Sequence, residues 1–324
     1  MAAANTAPTT LQQAILFFSV YDNCRKAVEA IRWADGTVVC PNCGSERVTY
    51  LEKQRRYKCY EGHPRAQFSL KVGTIFEDSA IGLEKWLPAL WLLTNCKNGI
   101  SSYELARALG VTQKTAWFML SRLRLALQTE DGGKLGGTVE VDETFIGGRA
   151  RNMHIAKKKR MGISQGTSMA GKVAIMGLLE RHPVKGQSKV RLRGLDGRTK
   201  RHLQPHVHAN VVAGATVNTD ALFSYQGISE SFTHNVIDHA EKYVDGTVHT
   251  NGMENFWSLL KRALKGTYVS VEPFHLFRYL DEQAFRFNER AGTDAARFAL
   301  ALRGIIGKRL TYSALTGAEV RQPC

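Results

Sequence analysis

The sequence predicts an α/β protein whose second half forms a mixed sheet, preceded by a small cysteine-bearing β module and a helical region. Three observations carry this prediction. Apolar residues recur at helical spacing over residues 11–33 and again from Leu83 to about Gln128. Asp131-Gly-Gly-Lys-Leu-Gly-Gly137 then breaks the pattern with four glycines in seven residues, which marks the main domain boundary. Beyond it, β-type runs alternate with helical ones.

A chain of 324 residues favours about two domains. Its 44 Lys and Arg against 29 Asp and Glu give a net charge of +15, spread along the whole chain. Such charge suits a polyanion, because displaced counterions reward it on nucleic acid, although charge alone also fits a membrane surface or plain solubility. The longest apolar run, Trp86 to Leu93, is interrupted by Pro88 and too short to span a bilayer, and the N-terminus lacks a signal-like pattern. A soluble cytoplasmic protein with no membrane partner is the expectation. The six cysteines, at 24, 40, 43, 59, 96 and 324, are too few and too uneven for a disulfide framework.

Residues 1–36 read as an N-terminal helical segment, with Leu11, Ile15, Phe18, Ala27, Val28 and Ile31 at helical spacing before the turn Trp33-Ala-Asp-Gly36. Residues 37–73 follow as short β-type runs at Thr37–Val39, Arg47–Leu51, Arg56–Cys59 and Gln67–Leu70. Among them Cys40-Pro-Asn-Cys43 forms a knuckle, and Cys59 and His63 follow after a gap of 15 residues. Four such ligands close a tetrahedral structural Zn2+ site, so this segment is expected to be a zinc ribbon. His63 serves as fourth ligand, since Gly62 stands where a second CxxC would place its cysteine. Cys24, Cys96 and Cys324 have no matching partners and are expected to be simply buried or in the tail.

Residues 74–130 carry a helix-turn-helix pattern from Gly99 to Trp117. Ser101 or Ser102 caps the first helix, Leu105, Ala106 and Leu109 bury its inner face, Gly110 permits the turn, and Val111 fills the angle. Thr112 caps a second helix, whose Gln113, Lys114 and Thr115 are expected to be exposed at the end that meets DNA.

Residues 131–292 give three strands (Thr138–Phe145, Lys172–Glu180, Lys189–Leu195), a helix near His202–Ala213, a strand (Ala215–Thr219), another (Phe232–Ile237), and a helix from near Thr250. This is the order of a ribonuclease H-like fold. Asp142 lies near the end of the first strand and Asp220 at the end of the fourth, so adjacent strand ends can bring two carboxylates together. The last helix offers a third oxygen donor, Asn251 or Glu254. On a helical projection Met253, Phe256, Trp257, Leu260 and Leu264 share one face, while Asn251, Glu254, Ser258, Lys261 and Lys265 share the other. Oxygen donors of this kind suit Mg2+ or Mn2+, and two ions about 3.5 to 4 Å apart suit phosphoryl transfer. Glu143 points to the other face of a regular strand and stays outside this set.

Taken together, several blocks resemble bacterial insertion-sequence transposases that carry a zinc ribbon before a DDE-type domain. They are the knuckles with Gly73-Thr-Ile-Phe76, Val141-Asp-Glu-Thr-Phe-Ile-Gly-Gly148, Thr219-Asp220, the helix from His249-Thr-Asn251 to Lys261-Arg262, Tyr279-Leu-Asp-Glu282 and Phe285-Arg-Phe-Asn288. The resemblance covers about residues 10–292. It implies a ribonuclease H-like catalytic domain, terminal inverted-repeat and target DNA as substrates, divalent metal at Asp142, Asp220 and a third residue, and a homodimer or larger synaptic assembly in the nucleoid. The third residue is Asn or Glu in such proteins. Glu254 is favoured here as the stronger Mg2+ donor with Lys261 two turns beyond it, and Asn251 is the alternative. The catalytic set expected is thus Asp142, Asp220, Glu254, Asn251 and Lys261. His239 and His249 read as structural.

Phosphate contacts are expected from Arg149, Arg151, Lys157, Lys158, Lys159 and Arg160 after the first strand, from Arg191, Arg193, Arg198, Lys200 and Arg201, and from Lys261 and Lys265. Residues 293–324 read as a C-terminal tail.

Overall fold

The computed structural model describes residues 7–128, 133–147, 154–160, 172–237 and 248–317. The described residues fall into two compact units, one drawn from 1–129 and 292–324, the other from 130–291.

In the first unit, α1 (Leu11–Phe18) opens with a capping box: Thr10 Oγ1 accepts from the Gln13 N–H, and Gln13 Oε1 from the Thr10 N–H. α2 (Tyr21–Arg32) is a separate helix, the chain breaking at Ser19 and Val20. β1 (Val48–Leu51), β2 (Arg56–Cys59) and β3 (Gln67–Phe68) pair antiparallel in that order. Residues 37–39, expected as a strand, are not one, because they lead straight into a knuckle closed by the Cys40 N–H on the Ser45 carbonyl. α3 (Leu83–Asn95) is buried almost all round, which accounts for its continuous apolar run. α4 (Ser102–Leu109) and α5 (Gln113–Ala126) follow as a helix-turn-helix.

The second unit is mixed α/β and ribonuclease H-like. Its elements are β4 (Thr138–Ile146), α6 (Ile155–Arg160), β5 (Val173–Glu180), β6 (Lys189–Leu195), α7 (Lys200–Asn210), β7 (Thr216–Asp220), β8 (Thr233–Ile237), α8 (Asn251–Ala263) and α9 (Leu276–Asn288). The described strands form one sheet in the order β6-β5-β4-β7-β8, antiparallel from β6 to β4 and parallel from β4 to β8. α7 ends at Asn210, short of the expected Ala213, because Val211 is extended and bridges to Leu135.

Both sheet faces are covered. Val139, Val141, Met176, Leu178 and Val217 pack with Leu203 and Val207 of α7. On the other face Ile175, Leu179 and Val190 pack with Met253, Phe256, Trp257 and Leu260 of α8 and with Leu276, Leu280 and Phe287 of α9. The two C-terminal sequence blocks secure this layer. Tyr268 and Arg286 both bond to the buried Glu282, while Asn288 accepts from the Val190 N–H at 2.7 Å and donates to its carbonyl at 3.0 Å on edge strand β6.

Residues 293–317 are not a tail. α10 (Asp294–Arg303) and α11 (Tyr312–Thr316) belong to the first unit, where Phe298 packs on Phe18 and Trp91. Leu302, Ile305 and Leu310 are buried there too, which is why the segment cannot stay in solvent.

Candidate active site

The β4–β7 ladder pairs Thr138 with Thr216, Val139 with Val217 and Glu140 with Asn218. Continued by two residues, this register sets Asp142 level with Asp220 on neighbouring parallel strands. On its other side Asp142 pairs with Gly177 of β5, and the absence of a side chain there admits the Trp257 ring of α8. Trp257 Nε1 donates to Asp142 Oδ2 at 2.9 Å, and the Glu143 N–H donates to Oδ1 at 2.8 Å, so both oxygens are held.

α8 is amphipathic as its sequence requires, with Met253, Phe256, Trp257 and Leu260 buried and Glu254, Ser258 and Lys261 exposed. Asp142, Glu143, Thr144, Glu254, Trp257, Ser258 and Lys261 line a cleft of about 470 Å³. Asn251, on the first turn, is exposed and does not line it. Lys265 is exposed beyond α8. Burial raises the Asp142 carboxyl above the usual carboxylate range; the bonds from Trp257 and the Glu143 N–H oppose this, and the charges of Asp220 and Glu254 reinforce it. The charges of Asp220 and Glu254 thus both bear on Asp142, a surplus of negative charge that a divalent cation would relieve.

Glu143 borders this cleft, but its side chain turns to the other face of β4, as strand alternation requires, where it accepts from the Tyr225 hydroxyl and lies 3.6 Å from Arg198. Burial, then the charges of Asp220 and Asp142, push its carboxyl up to about 8 against the pull of Arg198. Tyr225 follows Asp220 closely, so this bond ties the turn after β7 to β4. The Leu222 N–H closes that turn on Asp220 Oδ1 at 3.2 Å.

In the first unit the ligand atoms of Cys40, Cys43, Cys59 and His63 all lie within 4.8 Å of one another. Cys40 Sγ is 3.4 Å from His63 Nε2, and Cys43 Sγ is 3.6 Å from Cys59 Sγ. Bonds of about 2.3 Å from a tetrahedral zinc to sulfur set separations of this size. Burial works against the Cys40 thiolate, but the N–H groups of Asn42 and Cys43 with Cys43 and His63 outweigh it and hold the thiol down at about 7. Gly62 has φ +69°, a left-handed turn natural to glycine, and the next residue, His63, reaches the cluster with its longer side chain.

Residues 134–288 match the model of the ISXO2-like transposase domain, and residues 22–63 that of the transposase zinc-ribbon domain. A Halobacterium salinarum protein described as an uncharacterized protein in transposable element ISH50 is 30% identical over 251 residues, spanning 72% of this chain and 80% of its own. The chain belongs to the ISXO2-like transposase family. Its Cys40, Cys43, Cys59 and His63 are accordingly the structural zinc site of a transposase zinc ribbon.

The transposase's helix-turn-helix follows its sequence closely. Ser101 makes a capping box with Glu104, Gly110 ends α4 at φ 60°, and Thr112 Oγ1 accepts from the Thr115 N–H at 3.2 Å. Lys114 is exposed at the start of α5. Gln113 departs from expectation: it is half-buried and donates to Ser102 Oγ at 2.8 Å, tying the two helices, and Thr115 is half-buried as well. Of the basic residues after β4, Lys158 and Lys159 lie on α6 with Lys159 exposed; Arg149, Arg151 and the side chains of Lys157 and Arg160 fall outside the described residues, as do His239 and Cys324. Arg193, Lys200 and Arg201 are exposed, whereas Arg191 bonds to Asn210 at 3.2 Å and Arg198 faces Glu143.

Glu140, Arg181 and the Trp257 indole N–H escape a reading of the sequence. In Val139-Glu-Val141 the Glu looks like the solvent side of an alternating strand, yet it is 1% exposed. Only the fold reveals it: β4 lies in the middle of a sheet covered on both faces, which obliges any charge within it to find a partner.

Proposed function

We propose that this transposase binds the terminal inverted repeats of its element and catalyses DNA strand cleavage and strand transfer that depend on Mg2+ or Mn2+. The observation that carries the reading is the cleft in which Asp142 and Glu254 stand with Lys261, beside a strand register that brings Asp220 level with Asp142. Asp142, Asp220 and Glu254 would hold the metal, with Asn251 as the alternative third donor. Bound divalent cations supply Lewis acidity at the scissile phosphate and at the attacking and leaving oxygens.

The chain's own residues prepare the site. Trp257 and the Glu143 N–H orient Asp142, Lys261 offers a cation to a phosphate oxygen on the same helix surface, and Lys265 extends that surface along the DNA. In the first unit Lys114, with Gln113 and Thr115 beside it, reads the element end, while the zinc ribbon adds a second docking module. Lys157, Lys158, Lys159 and Arg160 contact phosphates without selecting sequence. Two ends must be processed together, so the active form is a homodimer or a larger synaptic assembly in the nucleoid.

The test is strand transfer by purified protein on DNA carrying its element ends, with Mg2+ or Mn2+, comparing wild type with Asp142→Ala, Asp220→Ala, Glu254→Ala and Asn251→Ala. Joined products abolished by both Asp changes are expected, at least about 10³-fold. Loss with Glu254→Ala and retention with Asn251→Ala identifies the third donor. Specific end binding without any joined product by wild type would instead make the protein a DNA-binding regulator with an inactive nuclease domain.

A further inference from the structure

Glu140 is a buried carboxylate of the second unit that does not line the cleft. It stands two residues before Asp142 on β4, on the same face, and is 1% exposed. One oxygen accepts from the Met253 N–H at 2.8 Å, in the first turn of α8. The other accepts from Arg181 Nε at 2.6 Å and lies 3.5 Å from His249 Nδ1. Arg181 in turn donates from Nη2 to His249 Nδ1 at 2.7 Å and to the His249 carbonyl at 2.6 Å. A Cβ on Gly252 would come within 2.8 Å of Glu140 Oε2 and 3.0 Å of Oε1, so glycine is what lets the carboxylate reach the helix end.

We propose that Glu140 is a positioning residue for strand cleavage and transfer. Together with Arg181, His249 and Gly252 it clamps the N-terminus of α8 to β4 and sets the spacing between Asp142 and Glu254. The geometry is direct: the clamp joins β4 to α8 one helical turn ahead of Trp257, whose N–H holds Asp142. A helix start presents N–H groups without intrahelical partners and favours a negative charge. Without its partly exposed partner Arg181 the buried Glu140 carboxylate is left uncompensated, and without Glu140 the Met253 N–H loses its acceptor, so the helix end loosens rather than relaxing onto the sheet. Residues that orient metal ligands from behind change metal affinity or activity by about 10- to 100-fold when altered.

This inference rests on the proposed strand-transfer reading, and its test separates the two. In the full chain, Glu140→Gln, Glu140→Ala, Arg181→Lys and Gly252→Ala are compared with wild type by amide hydrogen exchange over residues 251–256 and by single-turnover cleavage of element-end DNA. Exchange at the start of α8 is expected to quicken at least about 10-fold while the β4–β5 ladder keeps its protection. Cleavage is expected to fall about 10- to 100-fold in kcat at unchanged KM. Glu140→Gln, which keeps an acceptor for the Met253 N–H, is expected to retain more of both than Glu140→Ala. Unchanged exchange over 251–256, or a loss confined to KM, overturns the clamp. Should Glu140→Ala fail to fold, Gly252→Ala and Arg181→Lys decide. A wild type that cleaves nothing refutes the strand-transfer reading, and the exchange comparison still decides the clamp.

Discussion

At Gly177, opposite Asp142 in the β4–β5 ladder, a Cβ would overlap Met253 Cε and come within 2.8 Å of Trp257 Cζ2. The backbone of β5 is therefore part of the socket for the ring that holds Asp142. Gly177→Ala is expected to destabilise the second unit by about 1 to 3 kcal/mol through overpacking. It should also displace the indole from Asp142 and slow cleavage about 10-fold or more. Thermal melting and single-turnover cleavage check both effects, and a variant with native melting and native cleavage would refute the account.

At the scale of elements, the zinc ribbon is three short strands with few buried side chains, chiefly Tyr57 and Phe68 stacked at 5.3 Å together with Cys40 and Cys59. So small a core leans on its metal. Chelation, or Cys59→Ser, is expected to release zinc and open residues 40–68 to protease, while the sheet of the second unit stays protected; limited proteolysis with zinc quantification reads this. α6 supports a different expectation. Replacing Lys158 and Lys159 by Ala should weaken binding to all DNA sequences alike and lower the slope of log affinity against log salt by about 0.9 per lost phosphate contact. Binding titrations at several salt concentrations decide, and a sequence-selective loss would contradict this role.

For the whole molecule, the C-terminal helices are what the first unit cannot do without. Phe298 fills the space between Phe18 and Trp91. The Ile75 N–H donates to the Ile305 carbonyl at 2.9 Å, and the buried Arg122 donates to the Leu310 carbonyl at 3.1 Å and the Ile75 carbonyl at 3.0 Å. Truncation after Ala291 removes all of these except the Arg122–Ile75 bond, and loss of one buried Phe alone costs about 3 to 5 kcal/mol. Such a chain should lose the helical unit's cooperative melting transition while keeping that of the second unit. Two unaltered transitions in calorimetry would show the segment to be dispensable.

Local patterning alone determined much of this protein. Alternation gave β4 to β8 nearly to the residue, helical spacing gave both faces of α8, turn chemistry gave Gly110, the cap Thr112 and a cap at Ser101 or Ser102, of which the structure uses Ser101, and ligand spacing gave the zinc knuckles. Each of these depends on residues a few positions apart, whose periods and caps are written in the chain itself. Tertiary structure decided what distant partners decide. Whether Glu140 is a surface charge or a buried clamp depends on Arg181 and on α8, whether Glu254 or Asn251 enters the cleft depends on how α8 sits on the sheet, and whether 293–317 is a tail or a packed pair of helices depends on Phe18 and Trp91. Burial is a property of the assembled fold, so no local pattern can report the environment in which a charge or an aromatic ring comes to rest.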